Sequence, residues 1–132
     1  MTDRPVGRDD EALRWYEQAF ESSEGPATRL QWGASYVSAL IDLTPADAPR
    51  IEKAAAALFG EAGAQVNAFY DRSAVALQRI GRKLEAWNKD GQQTAVLKRL
   101  KTQLDGVCAK LDAADPQRAT CQGLLKSPAG AA

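Results

Sequence analysis

Apolar residues in this chain recur at steps of three and four almost from end to end, and no run alternates singly as a half-buried strand does. That period is the helical one. Its clearest instance is Leu97, Leu100, Leu104, Val107 and Leu111, and abundant alanine, the best helix former, supports the same state elsewhere. With 132 residues and a hydrophobic share of 45%, the chain has material for one modest core. The expectation is an all-α antiparallel bundle of five to six helices, with residues 10–126 as a single domain and residues 1–9 and 127–132 as flexible ends.

Local punctuation divides the period into elements. Leu13, Tyr16 and Phe20 make a helix of about three turns that ends before Ser22, Ser23 and Gly25, with Asp9, Asp10 and Glu11 at its positive end. Pro26 opens the next helix, whose stripes Leu30, Gly33, Val37, Leu40 and Trp32, Tyr36, Leu43 together give the broad apolar surface of a central helix. Thr44-Pro45 closes it. Asp47 caps a restart with Pro49 in the first turn, where a missing N–H costs no helical bond.

From Ile51 one stripe continues through Ala55, Leu58, Ala62, Val66, Phe69, Ser73, Leu77, Ile80, Leu84 and Trp87. Gly60 and Gly63 interrupt it, and two glycines so close predict a break or sharp bend that leaves helices 48–59 and 64–88. The alternative is that Ala56, Gly60 and Ala64 allow close helix contact within a continuous rod. Asn88 to Gln92 reads as a turn, so 64–88 and 94–112 are expected to fold back as a long antiparallel hairpin, the C-terminal half of the bundle. The last helix starts at Asp115-Pro116, carries Cys121, Leu124 and Leu125, and stops at Ser127-Pro128. Trp15, Trp32 and Trp87 fall inside helical runs and are expected in the core.

The two cysteines lie symmetrically about the turn at Ala113 to Asp115, Cys108 roughly six residues before it and Cys121 roughly six after. That places them at one level of a helical hairpin. A structural Cys108–Cys121 disulfide is the expectation, with two buried free thiols as the alternative. A stable bridge favours a periplasmic or otherwise exported location; free thiols favour the cytoplasm. Two cysteines without histidine make a poor zinc site, and no metal or other cofactor is expected.

Absence of histidine removes His-based acid–base catalysis, Ser-His and Cys-His nucleophile pairs, and His ligation. Carboxylates remain, but Asp71, Glu85 and Glu52, or Glu61 with Asp42, have no spacing that fixes a catalytic pair, so no enzyme is expected. The 17 bases and 17 acids cancel, which disfavours a nucleic-acid protein, and no apolar stretch is long enough to span a bilayer. Their distribution is uneven. Residues 1–66 carry 11 acids and 6 bases, whereas residues 71–111 carry 4 acids and 9 bases. Arg79, Arg82, Lys83, Lys89, Lys98 and Lys101 concentrate positive charge around one arm, a candidate surface for an acidic protein partner. A solvated polar face is the alternative. The acidic front and basic arm also permit packing of one copy on another, a possible homodimer.

The order of elements around Trp32-Gly33-Ala34-Ser35-Tyr36, Asp42-Leu43-Thr44-Pro45-Ala46-Asp47 and Arg50-Ile51-Glu52 resembles tetratricopeptide-type hairpins over about residues 28–60. No second copy follows at the spacing of about 34 residues. With Arg99-Leu100-Lys101-Thr102-Gln103-Leu104 and its amphipathic helix, the layout also resembles helical bacterial envelope lipoproteins that act as adaptors. The resemblance implies protein binding in the periplasm without catalysis. An adaptor domain is the first functional expectation; an inhibitor or immunity-like protein masking a charged surface is the second.

Overall fold

A computed structural model describes the backbone of residues 6–125 and the side chains from residue 9 onward. The described residues form an all-α helical bundle. Its helices are α1 (Val6–Ser22), α2 (Pro26–Leu43), α3 (Ala48–Gly63), α4 (Asp71–Trp87), α5 (Thr94–Ala109) and α6 (Pro116–Gln122). Residues 6–9, expected as part of a flexible end, are helical; residues 1–5 and the expected tail 127–132 lie outside the described residues.

Boundaries follow from the residues that set them. Gly25 takes φ 91, a left-handed conformation costly for a side chain with a Cβ, and Pro26 then starts α2 with its φ already helical. Asp47 accepts a hydrogen bond from the Arg50 amide at 3.4 Å, and Asp115 accepts one from the Gln117 amide at 2.9 Å. Each side chain thereby satisfies an orphan donor of the first turn. Between α4 and α5 the buried Asn88 accepts from the Gln93 amide at 2.6 Å, while Gly91 supplies the positive φ of 77.

The break in the long stripe is real but displaced. Helix α3 runs through Gly60 and Gly63 and ends there, residues 64–70 form an irregular connection, and α4 begins at Asp71 rather than 64. The glycines serve helix contact as well. A Cβ at Gly63 would lie 3.0 Å from Val107 Cγ2, so the close approach of α5 depends on its absence. Val66, on the expected stripe, is 83% exposed because its segment is not helical. Buried Gln117 ties that segment to α6, accepting from the Phe69 amide at 3.1 Å and donating to the Val66 carbonyl at 3.2 Å.

Helix α2 is central, packing against α1, α3 and α4, while α5 packs against α3 and α6. At Gly33 the neighbours close in, with Leu58 Cδ1 2.9 Å and Phe20 Cε1 3.1 Å from where a Cβ would sit. Helices α4 and α5, expected to pair as a long hairpin, find their main packing elsewhere. These helices flank a tight turn, but their extensive contacts are with α2 and α3 respectively. Arg99 bonds Glu52 and Gln103 bonds the Ala56 carbonyl, so α3 and α5 run in the same direction. Lys83 bonds Asp42 and Trp87 bonds the Pro45 carbonyl, which aligns α2 and α4 likewise. Leu77, Ile80, Leu84, Leu97, Leu100 and Leu104 do point inward, into one core shared with Leu58 and Phe59. Periodicity identifies a buried face without identifying the helix that covers it.

Cys108 and Cys121 form a disulfide with Cα atoms 5.6 Å apart, joining α5 to α6, and both residues are buried. Helix α6 stops at Gln122, earlier than the expected stop at Ser127-Pro128, and Leu124 and Leu125 are buried just beyond it. There the chain crosses α4 at Gly81, where a Cβ would overlap the Leu124 carbonyl oxygen.

Candidate functional site

One face of α2 carries Ala27, Gln31, Ser35, Ser38 and Asp42, at steps of three and four that place them in a single line. Small side chains there leave space against α4. Arg72, Val75, Ala76 and Arg79 form the opposite wall, and the two helices enclose an open groove of about 1370 Å³. Tyr16 and Leu43 contribute from α1 and the end of α2, and Tyr70 from the start of α4.

The groove is pinned at one end. Lys83 Nζ meets Asp42 Oδ1 at 2.8 Å, and Trp87 Nε1 donates to the Pro45 carbonyl at 2.9 Å. Toward the other end, residues 64–70 enter α4 through extended Tyr70 and through Asp71 at φ 50, a left-handed conformation that Asp tolerates better than most residues. Tyr70 and Val75 remain 58% and 51% exposed, so much of the groove's apolar surface faces water.

The expected basic arm is divided. Arg79 lines the groove and is exposed, as is Arg72. Arg82, Lys89 and Lys98 are exposed, and none of these five has an ion-pair partner among the described residues. Lys83 is engaged with Asp42, and Lys101 with Asp105 at 2.9 Å on its own helix. Arg99, whose guanidinium makes a bidentate pair with Glu52 at 2.6 and 2.8 Å, turns α5 toward α3 while Lys83 turns α4 toward α2. Of the arm's charges, Arg79 alone lines the groove.

Three of the acids considered for catalysis are held in separate ion pairs between helices: Asp42 with Lys83, Glu52 with Arg99, and Glu61 with Arg29 at 3.1 Å. The Arg99 hydrogen bonds hold the Glu52 carboxyl below its ordinary range. Burial pushes the Tyr36 phenol above its ordinary range, a shift that the Arg50 hydrogen bond opposes. Neither group lines the groove. Among the described residues no cluster of three or more Cys, Asp or Glu is placed to hold a metal ion, and no helix is long and apolar enough to cross a membrane.

Trp15 departs from expectation. It is 56% exposed on the outer side of α1, with its ring edge-on to Trp32 at 5.1 Å and to groove-lining Tyr16 at 5.4 Å. Trp32 and Trp87 are half-buried against the core. Sequence reasoning missed the groove itself, although one signal was present: no charged residue occurs between Arg29 and Asp42, so every face of most of α2 is either covered or open to a ligand.

Comparison of the chain with protein-family models, with curated proteins and with solved structures gives no match.

Proposed function

We propose that this chain is a non-catalytic helical protein-binding domain of adaptor type, exported to the periplasm or another oxidising compartment, that receives part of another protein in the α2/α4 groove. The observation that carries the proposal is an open groove of about 1370 Å³ with Tyr70 and Val75 exposed in it, two of the four large apolar side chains exposed among the described residues. Exposed apolar surface rimmed by polar groups characterises interaction sites. Arg79, with Arg82, Lys89 and Lys98 beyond it, favours a partner with an acidic surface. The buried Cys108–Cys121 disulfide supports the compartment, since such bridges persist where thiols are oxidised. The likeness to envelope adaptors is consistent with both.

A photoreactive phenylalanine analogue placed at Ser35 or Val75, with Lys53 on α3 as control, tests the groove in cells that express the protein. One protein adduct from both groove positions and none from Lys53 is the expected result. Absence of any adduct, or equal labelling from all three, removes the groove from the function. An adduct with a second copy would identify the possible homodimer instead.

A second reading has its own observation. Trp15 stands exposed on α1 one turn after the exposed acid Glu11, on a helix that also exposes Asp10 and Glu21, an arrangement suited to an inhibitor or immunity-like protein that covers a basic surface. Photocrosslinking from Trp15 and from Val75 separates the two readings by which position captures the partner.

A further inference from the structure

We infer that the occupant of the α2/α4 groove is one amphipathic helix whose carboxylates, two turns apart, pair with Arg72 and Arg79; this rests on the protein-binding reading and names its partner's chemistry.

The argument begins with backbone hydrogen bonding. Both walls of the groove are helices, whose amides and carbonyls bond within their own turns. An extended peptide laid between them would find no ladder of main-chain partners, and its own N–H and C=O groups would lose water without compensation. A helical segment brings those bonds with it. The groove therefore favours a helix.

Dimensions agree. From Ala27 to Asp42 the α2 wall is about 22 Å long at 1.5 Å per residue. Spread over that length, 1370 Å³ corresponds to a mean cross-section of roughly 60 Å². A helix of 10–12 Å diameter occupies roughly 80–115 Å². Because α2 and α4 pack directly on each other, a helix laid along the groove is partly sunk with the remainder in water, which calls for an amphipathic sequence.

Charge fixes its orientation about its axis. The α2 wall offers uncharged Gln31, Ser35 and Ser38, and its one carboxylate, Asp42, is already held by Lys83 at 2.8 Å. The α4 side offers one carboxylate, Asp71 at the helix start, against Arg72 and Arg79, both exposed and without an ion-pair partner among the described residues. Seven residues separate them, about 10.5 Å along the helix. Acids at i and i+7 of a bound helix have the same spacing and lie on one side of it, while its apolar stripe meets Tyr70, Val75 and Leu43. Each guanidinium then gains a charge-assisted partner at the rim.

The experiment is selection of 18-residue peptides from a phage-displayed library against the intact, oxidised protein, followed by affinity measurement on synthetic peptides by fluorescence anisotropy. Enriched sequences are expected to be helical on binding, with apolar residues at i, i+3, i+4 and i+7 and with Asp or Glu seven residues apart. R72E/R79E is expected to weaken them roughly tenfold, and peptides with Lys at both acidic positions to recover binding to that variant. R72K/R79K keeps the charge and is expected to lose less. Wild-type thermal midpoints for the variants establish that they fold. Selected peptides that are blocked by Ser35→Trp but indifferent to R72E/R79E would overturn the acidic partner while leaving the groove as a binding site. Selection of nothing that Ser35→Trp blocks would overturn both.

Discussion

Two helix pairs in this bundle run side by side in the same direction, and they are finished differently. The α3/α5 contact is sealed. Gly63 brings α5 close, Arg99 clasps Glu52, and Gln103 donates to the Ala56 carbonyl at 2.9 Å. The disulfide and Gln117 then fasten α6 to α5 and to the connection before α4. The α2/α4 contact packs just as closely, but its polar ties, the Lys83–Asp42 pair and the Trp87–Pro45 bond, lie at one end, and the open groove runs along it. The covalent and most of the polar ties are concentrated on one side and the open groove on the other, as expected where a rigid scaffold presents a site.

The largest expected effect comes from cutting the sealed side's covalent tie. C108A/C121A should lose about 3 kcal/mol, the loop-entropy value for a ring of this size, and roughly 10–15 °C in thermal midpoint. Wild type denatured and refolded under reducing conditions should show a similar drop. A shift of a degree or two would mean that the buried packing of α6 holds it without the bridge. Alkylation of unreduced, denatured protein taken from cells checks the compartment separately: two reactive thiols would argue against export.

Adding bulk on each side sharpens the contrast. Gly63→Val meets Val107 and should cost about 1–3 kcal/mol through overpacking. Ala76→Leu, on the groove wall, should change stability by less than about 0.5 kcal/mol because its new atoms enter open space. Denaturant unfolding of both variants decides the matter, and equal costs would erase the distinction between sealed and open contacts.

Next in size is the latch at the groove's closed end. Trp87→Phe removes one hydrogen bond to the Pro45 carbonyl and should cost about 1 kcal/mol, with Asp42→Asn adding less because its ion pair is largely solvated. Hydrogen exchange is the informative measurement. In the double variant, α4 amides should exchange faster while those of α3 and α5 keep their wild-type rates. A uniform acceleration would show that the two sides open together.

Much of this division was legible in residues, and the rest was not for definite reasons. Pro26, Asp47-Pro49 and Asp115-Pro116 mark helix starts because capping and fixed φ act within a few residues. Cys108 and Cys121 paired as their symmetry about a turn indicated. By contrast, the Leu77–Leu84 and Leu97–Leu104 stripes gave the buried faces of α4 and α5 but did not identify α2 and α3 as the helices that pack most closely on them, since covering helices are chosen by packing across the whole bundle. Gln117 gave no signal at all: its role depends on the Val66 carbonyl and Phe69 amide, roughly fifty residues earlier. The basic residues were found, yet their separation between two helix pairs was invisible without the fold. Trp15 misled through its size, although it lies one position off the Leu13, Tyr16, Phe20 stripe.

The smallest expected effect has a definite sign with pH. Arg99 holds the Glu52 carboxyl below its ordinary value of 4.5, so the folded state binds the proton less readily than the unfolded chain does. Its contribution is therefore fully present above about pH 4.5 and is lost as pH falls through the lowered folded value. Glu52→Gln removes the titration. Wild type should exceed this variant slightly in thermal midpoint at pH 7, and the two should converge in acid once the pH lies below the lowered folded value. The difference should also shrink with added salt, because the Arg99 side chain is 59% exposed. A gap that persists in acid would assign the seam's stability to packing around Gly60, Gly63 and Val107, with the ion pair serving only to set the register of α5 on α3.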